Sequence, residues 1–311
     1  MPEPLLGALM IGDPHLASRN PGFRKDDYSR AILAKLRWCL DQAAERRLLP
    51  VLLGDLFHWP RDNANWLLSE VIQLLAGRGV IGIVGNHDTT EKSLTPDDSL
   101  HVVWASGVLR LVDQTGPWVG ELNGVRTVIG GTSWSEFLPT SRAPEPDSLV
   151  IWLSHHNLRF GDGAPEFFEP RALPGIDLVV NGHLHRAHPP KVTGSTTWMN
   201  PGNIARVQRA DAVREARPAV LIVRPGPNRT STSETLEVPH MPFTEVFHDI
   251  VPEADPAPDQ SAFIRGLEQL RRLRTDDGTG LADFIHANIG RFDEPVRAEI
   301  LSLMKEVCDV E

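Results

Sequence analysis

Val84-Gly85-Asn86-His87-Asp88 follows the apolar run Val80-Ile81-Gly82-Ile83. That run reads as a buried strand, and Gly85 predicts a sharp turn where it ends. An amide oxygen, an imidazole and a carboxylate then stand consecutively at a strand-to-loop junction. In open α/β sheets, ligands bind at the carboxyl ends of strands. A Gly-Asn-His-Asp stretch alone is also an ordinary polar turn, so the reading depends on whether the pattern recurs.

It recurs on both sides. Residues 5–11 read as a first core strand ending in Gly12-Asp13-Pro14-His15. Residues 26–48 carry Tyr28, Ile32, Leu36, Leu40 and Ala43 at helical spacing, with basic residues on the other face. Residues 50–53 form a second strand, ending in Gly54-Asp55-Leu56-Phe57-His58, and residues 63–75 read as a helix stopped by Gly77 and Gly79. This strand–helix–strand–helix–strand order predicts a largely parallel sheet. Downstream, Asn123-Gly124 predicts a hairpin within residues 118–131. Residues 149–153 form a strand ending in Ser154-His155-His156-Asn157, and residues 176–180 one ending in Asn181-Gly182-His183-Leu184-His185. Two further strands are expected at 219–223 and 234–238, with residues 91–99 as a polar loop.

The chain of 311 residues is long enough for one α/β domain and an accessory piece. We expect a domain over 1–250 and, after a Pro/Asp/Ala-rich linker at 252–259, a helical region over 251–311. Phe263, Leu267, Leu270 and Leu273 mark one amphipathic helix there, and Val296, Ile300, Leu303 and Val307 another. An apolar fraction of 41% and a charged fraction of 23% are those of a soluble globular protein. The net charge of −10 offers no basic surface to nucleic acid, although local patches and bound metal can attract phosphate. Two cysteines, Cys39 and Cys308, exclude a disulfide framework and a zinc–thiolate site. With no secretory signal pattern and no membrane-length apolar run, the expected location is cytoplasmic, away from membranes.

Five strand ends thus carry Asp13 and His15, Asp55, Asn86 with His87, His155, and His183 with His185. Carboxylate and amide oxygens mixed with imidazoles suit Mn²⁺, Fe, Zn²⁺ or similar ions. Seven ligands exceed the needs of one such ion and suit two that share a carboxylate, with Asp55 as the bridge. Asp13, His15 and His185 are assigned to one ion, and Asn86, His155 and His183 to the other. The i, i+2 spacing of Asp13 with His15, and of His183 with His185, puts each pair on one side of an extended segment. Whether His155 or His156 faces the metals stays open.

The ordered set resembles the calcineurin-like metallophosphoesterase superfamily. The resemblance implies an α/β (α+β) fold, a β-sandwich flanked by helices, with a dinuclear centre at its rim that hydrolyses phosphoesters through metal-activated water. His87, next to a ligand rather than a ligand itself, is placed as the acid for the leaving oxygen, and Asp88 as its orienting partner. Gly54-Asp55-Leu56-Phe57-His58, Gly182-His183-Leu184-His185-Arg186 and Asn200-Pro201-Gly202-Asn203-Ile204-Ala205-Arg206 resemble the SbcD-type DNA repair nuclease branch, with Asn203 where that branch has Ser. That likeness implies DNA exonuclease and endonuclease activity, Mn²⁺ (Mg²⁺, Fe²⁺, Co²⁺ and Zn²⁺ being alternatives), a homodimer, and an SbcC-like ATPase partner. It also implies a substrate-positioning role for His58. Arg206, Arg209, Arg214 and Arg217 form a basic run that reads either as a solvated loop or as a phosphate-binding strip, with Arg206 as the candidate substrate contact.

Two other functions compete. A small-molecule phosphodiesterase or phosphatase of the same superfamily accords with the acidic surface, and a non-catalytic scaffold would keep the fold alone. The tryptophans read as core filling, with Trp59 either core or a base-stacking platform.

Overall fold

The structure is a computed structural model describing residues 3–160, 167–248 and 297, except 144, 146, 208 and 210–213. The linker and the two amphipathic C-terminal segments lie outside the described residues, Arg297 apart. The first half of the chain runs β1 (Gly7–Ile11), α1 (Tyr28–Glu45), β2 (Leu48–Leu52), α2 (Asn65–Leu75) and β3 (Val80–Gly82). A 3₁₀ turn (Asn86–Asp88), α3 (Ser99–Ala105), β4 (Leu109–Leu111) and α4 (Val112–Thr115) follow. Strands β1 to β4 are parallel neighbours, and β1, β2 and β3 are buried along their whole length. This is why they read as continuous apolar runs: both faces of a parallel sheet are covered. Helix α1 starts where the Asp27 carboxylate accepts the Arg30 N–H at 3.1 Å. Its buried stripe includes Tyr28, Ile32, Leu36, Leu40 and Ala43.

The second half runs β5 (Trp118–Leu122), β6 (Val125–Thr132), β7 (Ser148–Ser154), β8 (Leu178–Asn181), β9 (His188–Thr193) and β10 (Thr196–Asn200), then β11 (Ala219–Gly226) and β12 (Thr230–Glu237). β5 and β6 form the hairpin around Asn123-Gly124, with Asn123 at φ +52° and Gly124 at +74° as a tight primed turn requires. Strands β6, β7, β8 and β10 are parallel, and β9 closes that sheet antiparallel to β10. The chain then returns to the first sheet: β11 lies antiparallel to β1, and β12 forms the edge beyond it. Each sheet has six strands, ordered β12-β11-β1-β2-β3-β4 and β5-β6-β7-β8-β10-β9.

Inward-facing residues of both sheets meet in one core. Ala8, Met10, Val51, Leu53, Ile81 and Leu221 belong to the first sheet or its strand ends, and Ile129, Ile151, Leu153, Leu178 and Val180 to the second. The i, i+2 spacing within β1, β7 and β8 is the period of a strand's one face. Two mixed sheets packed face to face with helices alongside give the expected α/β sandwich. Among the described residues no helix is long and apolar enough to cross a membrane.

Residues of the chain cluster into two compact units. The sandwich, residues 1–20, 26–206 and 216–242, is one. The other comprises 21–25, 207–215 and the chain from 243 onward. In it the short helix Phe243–Val246 and Phe247 pack with Phe23, and Val246 O accepts the Lys25 N–H at 2.9 Å.

Three local expectations are corrected. Helix α3 begins at the end of the polar stretch read as loop, and β9, β10 and β4 carry no strand signal of their own in the sequence. Only Trp198 among the tryptophans is fully buried, and Trp66 is 39% exposed; the rest are half-buried, so core filling describes one of the eight.

Candidate metal centre

The marked strand ends deliver their side chains to one place. Asp13 and His15 follow β1, Asp55 follows β2, and Asn86 and His87 follow β3. His155 follows β7, and His183 and His185 follow β8. Asp13, His15, Asp55 and His185 each offer an atom within 4.8 Å of the others, and Asp55, His155 and His183 do the same. Asp55 belongs to both groups, the position expected of a bridge. His15, His58 and His87 form a third group with the same spacing.

The backbone that achieves this is not extended. Asp13, His15, Asp55 and His183 all have positive φ, at 40°, 47°, 49° and 66°. These left-handed conformations are uncommon for residues other than glycine and concentrate at functional sites. The same-side argument for Asp13 with His15 and for His183 with His185 is therefore corrected. The pairs converge because the chain coils tightly after each strand.

Gly85 is corrected too. Its φ of −98° and ψ of 175° are open to any residue, but a Cβ there would collide with the Asp55 carboxylate and its N–H. Close approach, and not turning, demands glycine. Gly54, at φ +96°, meets both demands, since a Cβ on it would lie 2.5 Å from His155 Nδ1.

Hydrogen bonds fix which atoms face the centre. Asp55 Oδ1 accepts the His87 backbone N–H at 2.8 Å, while Oδ2 lies 3.2 Å from His155 Nε2 and 3.7 Å from His15 Nε2. Asp13 Oδ1 accepts the His183 N–H at 2.8 Å. Asp13 Oδ2 and His15 Nδ1 are buried with no hydrogen-bond partner. His155 Nδ1 donates to the Leu53 carbonyl at 2.7 Å, and His183 Nε2 donates to Asn157 Oδ1 at 2.8 Å. Each ring thus faces a proton-free oxygen at both of its nitrogens, the second being that of Asn86. His155 Nε2 and His183 Nδ1 lie 3.1 and 2.9 Å from Asn86 Oδ1. His15 Nε2 and His185 Nε2 lie 2.9 Å apart.

Such a gathering of electron-pair donors calls for positive charge at its centre. Burial pulls His155 down, yet the charges of Asp55 and Asp13 and the Asp55 contact outweigh it and raise it to about 9. Burial pushes Asp55 up, but the charges of His155 and His87, the hydrogen bond from His155 and the charge of His15 hold it well below the usual carboxylate value. Burial raises Asp13 to about 6 against the pull of His155 and His185. Burial and the His155 charge lower His183 to about 3, and burial lowers His15 well below its usual value. His15 and His183, held neutral beside the ionised Asp55, are in the ligand states that divalent metals require, and His155 would give up its proton to a bound ion. The orphaned Asp13 oxygen and the mixed oxygen and nitrogen donors fit a pair of such ions.

Of the two adjacent histidines, His155 faces the centre. His156 Nε2 instead lies 2.7 Å from the Glu136 carbonyl, and burial lowers its pKa. Asn157 carries no site signal in the sequence, although it stands two positions after His155 and orients His183. The Asp88 expectation is corrected: its carboxyl accepts the Phe57 N–H at 3.1 Å and the Gly85 N–H at 3.0 Å. The His58 carbonyl, 2.9 Å away, is what His87 Nδ1 meets. Asp88 thus braces the loop, and burial with the nearby Asp55 charge raises it to about 7. Arg206 is largely buried. It is 5% exposed and donates from Nη2 to the Met241 carbonyl at 2.9 Å. Its segment supports the centre's loops, with Asn203 N–H on the His185 carbonyl and Ile204 N–H on the Gly12 carbonyl at 3.2 and 3.0 Å. His58 is half-buried and stacks on His87 at 5.4 Å and 15°.

Similar solved structures include a 5'-nucleotidase precursor from Thermus thermophilus, with 14% identity, TM-score 0.42, and coverage of 75% of this chain and 54% of that one. A hypothetical protein from the same organism has 14% identity and TM-score 0.40, covering 75% of this chain and 100% of that one. Haemophilus influenzae NAD nucleotidase has 13% identity and TM-score 0.44, covering 75% of this chain and 56% of that one. The chain spans just over half the length of the two nucleotidases. No curated protein matches the sequence. A family model described as calcineurin-like phosphoesterase matches residues 8–187, which include all seven candidate ligands. With more than half of its length so matched, the chain belongs to the calcineurin-like phosphoesterase family.

Proposed function

We propose that the chain is a two-metal phosphodiesterase, with Mn²⁺ as its working ion and DNA as its substrate class. The reading rests above all on the convergence of Asp55 Oδ2, His155 Nε2 and Asn86 Oδ1, electron-pair donors from separate strand ends, with His155 Nε2 about 3 Å from each oxygen. The sequence likeness of the Asp55–His58 and His183–Arg186 stretches to repair nucleases is what selects DNA. In this reading Asp13, His15, Asp55 and His185 hold one ion, and Asp55, Asn86, His155 and His183 the other. When bound, the pair supplies positive charge against the phosphoryl oxygens and a water acidic enough to attack near neutral pH.

The protein's own groups do the rest. In this reading the Leu53 carbonyl and Asn157 Oδ1 accept from His155 Nδ1 and His183 Nε2, which would leave the opposite ring nitrogens to the ions. As the phosphorus–oxygen bond to the leaving alcohol breaks, protonated His87 gives its proton to that oxygen. The His58 carbonyl on Nδ1 fixes the ring and makes Nε2 the donating atom.

A screen of Mn²⁺, Mg²⁺, Fe²⁺, Co²⁺ and Zn²⁺ against linear duplex DNA, single-stranded DNA, bis(p-nitrophenyl) phosphate and nucleoside monophosphates tests the proposal. Cleavage of DNA and of the bis-aryl diester, abolished by Asp55→Ala, is expected. Cleavage of monoesters with DNA left intact would replace it with a small-molecule phosphatase, which the net charge of −10 favours. No hydrolysis with two ions bound would make the chain a scaffold.

A further inference from the structure

A ladder of rings leads outward from the centre on the His87 side. His15 and His87 meet edge to face at 4.9 Å, and His87 stacks on His58 at 5.4 Å. His58 meets Trp59 at 4.4 Å, and the Arg19 guanidinium lies over the Trp59 ring, 4.1 Å from its centroid. Both ends of the outer step are anchored. The His58 N–H donates to the Leu16 carbonyl at 2.9 Å, and Leu16 bridges Phe57 in parallel. The Ala64 N–H donates to Ser18 Oγ at 3.1 Å, and Asn63 Nδ2 donates to the Trp59 carbonyl at 2.7 Å. Arg19 is exposed and, among the described residues, no carboxylate lies within ion-pair distance of it. Arg61, two positions after Trp59, is instead neutralised by Asp98 at 3.0 Å.

A guanidinium lying over an indole keeps its N–H groups around the free edge, where they match a phosphate in two-pronged fashion. The aromatic face also holds the fork in place at small entropic cost. On a chain of net charge −10, a cation fixed at the outer end of the ladder that starts at the leaving-group acid is a specific device and not part of a general basic surface. Resting on the phosphodiesterase reading above, we propose that Arg19, held over Trp59, binds the phosphate next to the scissile one on the leaving side of a nucleic-acid strand. The substrate class is then an oligonucleotide and not a lone diester.

The test uses the full-length Mn²⁺-loaded protein and a fluorescent single-stranded DNA oligonucleotide, with the His87→Ala background for binding so that turnover does not intervene. Arg19→Ala should weaken binding about tenfold, the loss of one charged hydrogen-bonding group, and lower the slope of log affinity against log salt by about one. Arg19→Lys should restore the slope but not the full affinity, because an ammonium lacks the fork. In the turnover-competent protein, the loss of kcat/KM on the oligonucleotide should appear in KM and exceed the loss on bis(p-nitrophenyl) phosphate about tenfold. Equal losses on both substrates, or an unchanged salt slope, would overturn the proposal. So would a native protein that hydrolyses the bis-aryl diester yet does not bind the oligonucleotide, and that outcome leaves the phosphodiesterase reading standing.

Discussion

Asp55 is the residue on which the centre turns, because its two oxygens do different work: Oδ1 fixes the His87 backbone while Oδ2 faces His155 and His15. Asp55→Ala should therefore strip metal and activity together. His87→Ala should keep its metal and lose kcat about 10²–10⁴-fold, the usual yield of general acid catalysis. Metal analysis beside steady-state kinetics separates the two. The identity of these residues was legible because Asp, Asn and His recur at five strand ends, where chance seldom puts them all. Their conformations were not legible. Four sit at positive φ, which sequence preference assigns to Gly before it assigns it to Asp or His. Asn157 and the Leu53 carbonyl act through hydrogen bonds to a ring's far nitrogen, and no spacing rule marks such partners. Cys39 shows the opposite case: burial in α1 pushes its thiol up to about 12. The native protein should leave Cys39 unalkylated by iodoacetamide near neutral pH, as peptide mapping would show, with reaction only after unfolding.

At the level of elements, the parallel strands and α1 were readable because each is a long or fully buried periodic run. Helix α3 has seven residues and follows a polar stretch, so its period never outweighed the loop signal. β9 opens with His188-Pro189-Pro190, which reads as a breaker, yet β9 is an edge strand and its pairing with β10 shifts register opposite the prolines. The entry to α3 is held by Asp98, fully buried, which accepts the Thr95 N–H and hydroxyl at 2.9 and 2.8 Å and Arg61 Nε at 3.0 Å. Asp98→Ala should cost about 2–3 kcal/mol in denaturant unfolding at pH 7. Burial raises its pKa, but the Thr95 and Arg61 contacts outweigh it and leave the folded value below 3.8. Its stabilisation is thus present above 3.8 and lost as pH falls toward that lower value. The Tm gap between Asp98→Ala and the native protein should shrink as the pH drops from about 7 to about 3. Gly85→Ala tests the junction between β3 and its loop. The added methyl group has no room beside Asp55, so metal content should fall along with about 1–3 kcal/mol of stability.

For the whole molecule, the sandwich gathers buried carboxylates and imidazoles at one rim, and the electrostatics there are incomplete without cations. His155, driven up to about 9 by Asp55 and Asp13, shows the site's demand for positive charge. Metal binding to the folded chain alone should therefore raise Tm with free Mn²⁺ concentration, and chelation should reverse the rise. Fold class could be read from strand order, because parallel βαβ order dictates which strand ends of one sheet share a rim. The return of β11 to pair with β1, which closes the first sheet, depends on contacts remote in sequence and left no local trace.

Metal stoichiometry tests the central claim most directly. The full-length protein, loaded with Mn²⁺ and freed of excess by gel filtration, is analysed by plasma mass spectrometry beside Asp55→Ala. The account predicts two ions per native chain and at most one in the variant. One ion or none in the native protein, or two retained in Asp55→Ala, would contradict it.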